Sequence, residues 1–223
     1  MAIQERPKPG QRLKMTYEEF LAWAGEDLHA EWVNGEVIIH MTAKERHQEI
    51  IRFLLEVFGL FNQFFRVGRF LMAPYQMKLS PEGPGREPDI LFVTREHEDR
   101  VTDNGLLGPA DLVIEVVSDD SVTRDRVEKL EEYEQYGVPE YWIIDPRARR
   151  PRADFYQLDE RGQYQPIPIG GDGVYRSRIL PGFWLRVDWL WAETLPDSLF
   201  AFAEIAGLPA EIVQTLRNLQ RKP

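Results

Sequence analysis

Apolar residues recur every three or four positions between about residues 43 and 65, the period of a helix with one buried face. We predict a long amphipathic helix there, with an apolar face of Ile50, Phe53, Leu54, Val57, Leu60, Phe61 and Phe64. A shorter helix is predicted from Thr16 to about Ala24, because Thr16 and Glu19 fit a capping box and Gly25 ends the pattern. Further helices are predicted over residues 123–135, 197–206 and 209–219.

Short apolar runs bounded by Gly, Pro or Ser predict β-strands. Residues 31–39 are predicted to form a hairpin, because Asn34-Gly35 favours a type I′ turn. Strands follow around residues 69–72, 75–79, 89–93, 111–117 and 141–145, with a peripheral β-meander over 155–158 and 175–178. A helix between the Glu115 strand and the Trp142 strand predicts a right-handed crossover between parallel neighbours. The order of elements predicts a mixed α/β fold, a central mixed sheet flanked by helices.

The composition is that of a globular protein: 43% of the 223 residues are hydrophobic and 29% are charged. The absence of Cys excludes disulfides, thiolate nucleophiles and Cys-zinc sites. No apolar run approaches the roughly 18 to 20 residues of a membrane span, and residues 1–14 lack the apolar segment of a signal peptide. We expect a cytoplasmic protein with a flexible arm over 1–14, a main domain over 15–192 and a helical extension over 193–223.

The net charge of −10 is unusual for a protein that acts on nucleic acid, because a basic surface normally complements phosphate. Net charge governs association more than fold, so it argues against tight duplex binding without excluding hydrolysis. One basic cluster contains Arg147, Arg149, Arg150 and Arg152. This cluster fits a solvated loop after Pro146 or a contact with phosphate.

Two carboxylates lie in runs that otherwise predict buried strands. Asp89 precedes the apolar residues 90–93, and Glu115 lies inside the apolar run 112–117. A buried carboxylate must be paired, protonated or bound to metal, because an isolated buried charge costs several kcal/mol. Two such groups on neighbouring strands favour a divalent cation.

Metal-assisted phosphodiester hydrolysis needs hard oxygen ligands and a cation near the attacking water or the phosphate. Asp89 and Glu115 supply carboxylates, and the backbone carbonyl of Val116 supplies a third oxygen. Glu31, which opens the hairpin, is a candidate to close the site through a water. Lys129, 14 positions after Glu115, is the candidate cation. We expect the two carboxylates on one sheet face, less than about 8 Å apart, around a cation with ligand distances of about 2.1 Å.

Several motifs together resemble a known family. The segments that carry the resemblance are the hairpin 31–36, His47, Pro88-Asp89, the strand 111–118, Arg124-Asp125, Glu128-Lys129, Tyr133, the strand 137–142 with Asp145-Pro146, and Leu180-Pro181-Gly182-Phe183. They resemble the Uma-two family of restriction-endonuclease-like proteins, within the PD-(D/E)XK nuclease superfamily. The resemblance covers about residues 16–190.

The resemblance implies a restriction-endonuclease-like domain that hydrolyses DNA with Mg²⁺ or Mn²⁺, with Asp89, Glu115 and Val116 as metal ligands. The superfamily's lysine two residues after the strand glutamate is replaced here by Val117. In this family the lysine maps onto Lys129 of the following helix, from which a long ammonium side chain can reach the same point. His47 and Val117 are accessory candidates, and a homodimer is a further expectation.

Other interpretations of the same residues stay open. Glu115 and Lys129 also fit a buried ion pair without metal, and Lys129 fits a solvated helix position. Glu31 and His47 are also explained as structural residues. The whole domain also fits a non-catalytic module that retains the nuclease fold for binding.

Overall fold

A computed structural model describes residues 12–24, 30–39, 44–119, 121–147 and 151–220. The first 11 residues of the predicted arm, the predicted helix end at Gly25, and Arg149 and Arg150 of the basic cluster lie outside the described residues. Arg12–Lys14 form a strand, so the arm does not extend to residue 14 as expected from the sequence. Backbone pairing with residues 36–38 fixes this segment, a contact that its own polar sequence does not reveal.

The predicted helices are present. In the described residues they are α1 (Tyr17–Ala24), α2 (Glu45–Phe65), α3 (Lys129–Gln135), α4 (Ser198–Ile205) and α5 (Ala210–Gln220). The capping box forms as predicted: the Glu19 amide donates to Thr16 Oγ1 at 3.2 Å, and the Thr16 amide donates to Glu19 Oε2 at 2.8 Å. No helix in the described ranges is both long enough and apolar enough to cross a membrane.

The central sheet of the described chain has six strands in the order β13-β12-β11-β10-β7-β4. Their ranges are β4 (Gly68–Met72), β7 (Ile90–Thr94), β10 (Leu112–Val116), β11 (Glu140–Asp145), β12 (Arg152–Leu158) and β13 (Tyr164–Pro166). β10 and β11 pair in parallel, as the helical connection predicts, and the other neighbours are antiparallel. The predicted peripheral position of residues 155–158 is wrong. They belong to β12, which pairs with β11 along six residues because both present apolar side chains to the core.

A second sheet carries the N-terminal hairpin. In the described residues its order is β1-β3-β2-β6-β5-β9-β8. Its strands are β1 (Arg12–Lys14), β2 (Ala30–Val33), β3 (Glu36–Ile39), β5 (Met77–Lys78), β6 (Gly85–Arg86), β8 (Val101–Thr102) and β9 (Gly105–Leu107). Asn34 (φ 50°) and Gly35 (φ 83°) form the predicted hairpin turn, which requires positive φ at both positions. The strands β14 (Val174–Arg176) and β15 (Trp184–Arg186) pair separately.

The central sheet is buried on both faces. On one face α2 packs with its apolar residues against Ile90, Phe92, Ile114 and Trp142. On the other face Leu91, Val113, Val117, Tyr141 and Ile143 pack with Tyr133 of α3. Strands covered on both faces read as continuous apolar runs, which explains why Asp89 and Glu115 stand out in the sequence.

Residues 124–135 are helical as predicted, but the segment before α3, Arg124–Glu128, is a π-helical turn, which the sequence did not reveal. It runs directly into α3 at Lys129. Turns of this type often occur at functional sites, because the extra residue shifts the direction of the side chains that follow.

Candidate functional site

Asp89 lies one residue before β7, and Glu115 lies within β10, the neighbouring strand. The paired register of these strands ends at Ile90 and Ile114, so Asp89 and Glu115 are the residues just beyond the last pair. Both side chains are buried, with 8% of Asp89 and 4% of Glu115 exposed. They are close enough for the charge of Asp89 to raise the pKa of Glu115.

Asp89 meets His47 and the backbone of Val116. Its Oδ2 accepts a hydrogen bond from the Val116 amide at 2.7 Å and lies 3.3 Å from His47 Nε2. His47, near the start of α2, also hydrogen bonds with the Val116 backbone. Burial lowers the pKa of His47, but Asp89 and the Val116 contact outweigh burial and raise it overall. A positively charged ring is therefore favoured beside two of the three predicted ligand groups.

Glu115 is turned toward α3. Its Oε1 accepts hydrogen bonds from Lys129 Nζ at 2.8 Å and from the Tyr133 hydroxyl at 3.1 Å. Burial raises the pKa of Glu115, which Lys129 opposes and Asp125, Asp89 and Glu31 reinforce. These surroundings favour the protonated form of the carboxyl group in the absence of metal.

Lys129 lies inside a group of carboxylates and is only 2% exposed. Besides Glu115, its Nζ lies 2.8 Å from Glu31 Oε1 and 3.6 Å from Asp125 Oδ1. Burial lowers the pKa of Lys129, but these carboxylates raise it overall. The predicted approach of Lys129 to Glu115 is thus present, and a solvated helix position is ruled out by its burial.

Glu31 lies behind Lys129 and is fully buried. Its Oε2 accepts from Arg86 at 3.0 Å, and its Oε1 accepts from the Glu87 amide at 3.2 Å. Arg86 in turn donates two hydrogen bonds of 2.7 Å to Glu132. These contacts and the 2.8 Å approach of Lys129 hold the Glu31 carboxylate against two cations. Closure of the site by Glu31 through a water stays a prediction.

Val117 is a core residue that packs with Tyr133, Tyr141 and Ile143. It shares the face of Glu115, since alternate residues of a strand point the same way. A lysine at 117 would therefore point to the same face. Here Lys129 reaches that face from the helix that covers it.

The carboxylate and carbonyl oxygens of the site are of the type that binds a divalent cation. Asp89 and Glu115 are both buried, and the Val116 amide next to Glu115 donates to Asp89 Oδ2 at 2.7 Å. His47 already places a positively polarised N–H against Asp89 and Val116, the position that a cation would share. Oxygen donors of this kind suit Mg²⁺ and Mn²⁺. The oxygens do not yet converge, because Glu115 is turned to Lys129, and among the described residues no three His, Asp or Glu side chains are grouped closely enough to hold a metal.

Sequence reasoning missed the charged residues that complete the group. Asp125 is buried and paired with Ser121, and Arg86 comes from β6 of the other sheet. One signal was present for Asp125 and Tyr133, because they lie four residues before and after Lys129 and so share its helix face. No local signal points to Arg86, whose approach depends on how the two sheets meet.

Comparison with known proteins identifies the family of this chain. The family model described as "Uma2: Putative restriction endonuclease" matches residues 17–188, more than half of the chain. The chain belongs to the Uma2 family. A search of the curated proteins gives no match.

One solved structure similar to this Uma2 member is described as "a putative nuclease belonging to DUF820 from Anabaena variabilis ATCC 29413". It is 15% identical, with a TM-score of 0.60 over 86% of this chain and 99% of the other. The likeness confirms the mixed α/β, restriction-endonuclease-like fold. Together, the family and the fold support a nuclease-like function.

Proposed function

We propose that this Uma2 protein is a metal-dependent endodeoxyribonuclease that hydrolyses DNA phosphodiester bonds. The observation that carries the proposal is the buried group of Asp89, Glu115 and Lys129, in which Lys129 Nζ lies 2.8 Å from Glu115 Oε1. Carboxylate oxygens that can bind a metal, with a lysine beside them, suit metal-assisted phosphodiester hydrolysis. The restriction-endonuclease-like class generally uses a divalent metal, which supports Mg²⁺, with Mn²⁺ as a substitute.

In this proposal Asp89, Glu115 and the Val116 carbonyl would hold the metal, and His47 contacts Asp89 and the Val116 backbone. The metal would supply Lewis acidity and neutralise charge at the phosphate. Glu115 would bind it in the ionised form. Lys129, oriented by Glu31, would stabilise the negative charge that develops on the phosphate.

Cleavage of supercoiled plasmid tests this proposal. The parent protein should nick DNA with Mg²⁺ or Mn²⁺ and not with chelator. Asp89→Asn, Glu115→Gln and Lys129→Met should each reduce the rate by at least about a hundredfold, since each removes a group at the reacting centre. Lys129→Met should still bind Mn²⁺, because its ammonium is not a ligand.

Asp111→Asn is a matched control. Asp111 is also buried next to β10, but it accepts hydrogen bonds from Thr94 and contacts His97. A folded Asp111→Asn protein should cleave at close to the parent rate. Equal rates for the parent and Lys129→Met would contradict the assignment of Lys129.

A second candidate, a catalytically silent binding module, is favoured by one observation. Lys129 pairs with the buried carboxylates of Glu31, Glu115 and Asp125, so these charges are compensated without metal. DNA binding without cleavage in either metal would support this candidate. The expectations of a cytoplasmic location and a homodimer belong to the same proposal, and light scattering after gel filtration tests the dimer.

A further inference from the structure

A chain of alternating arginine and aspartate side chains lies beside the site. Asp145 Oδ1 and Oδ2 each accept from Arg147 at 2.8 Å, and Oδ2 also accepts from Arg126 at 3.3 Å. Arg126 also donates to Asp154 Oδ2 at 2.6 Å, and Arg152 donates to Asp154 Oδ1 at 2.7 Å. We call these five residues the arginine ladder. Three cations on two anions leave it with a net positive charge, in a chain whose total is −10.

The register places the ladder on the face of the carboxylate site. Glu115 lies beside Ile143 in the parallel pair, and Ile143 lies opposite Asp154. Glu115, Ile143 and Asp154 therefore form one row across β10, β11 and β12. Strands are spaced by about 4.8 Å, so Asp154 is about 10 Å from Glu115. Arg126 and Lys129 reach this row from the same helical segment.

The ladder is built on buried groups. Asp145 ends β11, is almost fully buried, and fixes both Arg126 and Arg147. The outer members Arg147 and Arg152 have side chains that are 39% and 61% exposed. A guanidinium that is hydrogen bonded to a carboxylate through one edge still has free N–H donors on its other edges. These planar, paired donors match the geometry of phosphate oxygens.

We propose that the arginine ladder binds the phosphate backbone of the DNA strand that leaves the carboxylate site. This inference rests on the proposed nuclease function and adds the path of the substrate. A distance of about 10 Å corresponds to roughly three base-pair steps of 3.4 Å. The contacted phosphate is therefore about two or three nucleotides from the cleaved bond, on the side of β11 and β12.

Salt dependence of DNA binding tests the ladder. Affinity for a fluorescein-labelled 20-base-pair duplex is measured by anisotropy with the full chain, in chelator, at several KCl concentrations. Each lost phosphate contact should reduce the slope of log affinity against log salt by about 0.9. Arg147→Ala/Arg152→Ala should therefore lose about 1.8 from the slope and at least about tenfold in affinity at low salt.

The double variant Arg176→Ala/Arg186→Ala is the matched control. It removes the same charge from two exposed arginines paired with Asp172 and Glu204, on the separate β14–β15 pair. Its slope should change by less than about 0.5. Equal effects of the two double variants, or none from the ladder variant, would overturn the inference.

Plasmid cleavage by the parent distinguishes a failure of the ladder inference from a failure of the proposed function. If the parent cleaves DNA and the ladder variant keeps the parent slope, only the ladder inference is overturned. If the parent neither binds nor cleaves, both proposals fall. If the ladder variant has a reduced slope but the parent does not cleave DNA in the presence of metal, the ladder inference is supported and the proposed hydrolysis is refuted.

Discussion

Replacing Lys129 with Met should destabilise the protein in a strongly pH-dependent way. Lys129 Nζ lies 2.8 Å from oxygens of both Glu31 and Glu115 and 3.6 Å from Asp125. At an effective dielectric constant of about 20, each 2.8 Å pair with an ionised carboxylate contributes about 6 kcal/mol of Coulomb attraction. Most of this is offset by desolvation, and loss of one partner of a buried pair typically costs about 3–5 kcal/mol.

The pH dependence follows from proton uptake. Without the ammonium, a carboxylate of the group must take up a proton when the variant folds. The folded variant then binds one proton more than the folded parent, so its stability relative to the parent falls by about 1.4 kcal/mol for each unit that the pH rises. We expect a loss of about 4 kcal/mol at pH 8 and about 1 kcal/mol at pH 5.5, relative to the parent at the same pH.

Urea unfolding in chelator at both pH values measures the loss, with Lys78→Met as the control. Lys78 is also buried, but its Nζ donates to the Gly83 carbonyl at 2.6 Å and lies 4.0 Å from the Tyr17 ring. Its replacement should cost about 1–2 kcal/mol at either pH, since no carboxylate loses its partner. A Lys129→Met loss that is the same at pH 5.5 and 8, or smaller than the Lys78→Met loss at pH 8, would refute the reasoning.

Two further predictions concern protons and metal. Burial raises the pKa of Glu87 to about 8, above its unfolded value, so the folded parent gains a proton and loses stability as the pH rises from 5 to 8. Urea unfolding in chelator should show a decline that is shallower by about 1.4 kcal/mol per pH unit in Glu87→Gln. A decline equal to that of the parent would show that Glu87 is ionised over the whole pH range. Mn²⁺ at a hundred times its dissociation constant should stabilise the parent by about 2.7 kcal/mol in thermal melts, an effect that Asp89→Asn should abolish and Asp111→Asn retain. Coincident parent melts in millimolar Mn²⁺ and in chelator would contradict a metal site.

Local signals were sufficient for much of the fold. The capping box at Thr16, the Asn34-Gly35 turn and the apolar face of α2 each depend on residues close in sequence, and each is present in the structure. The pairing of β12 with β11 was missed, because strand order depends on contacts between distant segments. A pattern of alternating residues gives the faces of a strand but not its neighbour.

Some features of the site could likewise be predicted from nearby residues, and others depend on the fold. Asp89 and Glu115 were found because a charge inside an apolar strand conflicts with its surroundings. The ion pair of Glu31 with Arg86 could not be predicted, because only the fold brings these two residues together. The turn of Glu115 toward Tyr133 was also beyond the sequence, since it depends on competition between nearby cations and donors.

The π-helical turn at Arg124–Glu128 makes the number of residues between Glu115 and Lys129 as important as their identity. Each residue advances an α-helix by about 100°. Deleting one residue from this turn would therefore rotate Lys129 away from the sheet while leaving every charged side chain of the group in the sequence. Family members should accordingly be aligned on the length of this segment, and a relative with a lysine but a shortened turn is expected to have lost the contact with its strand glutamate.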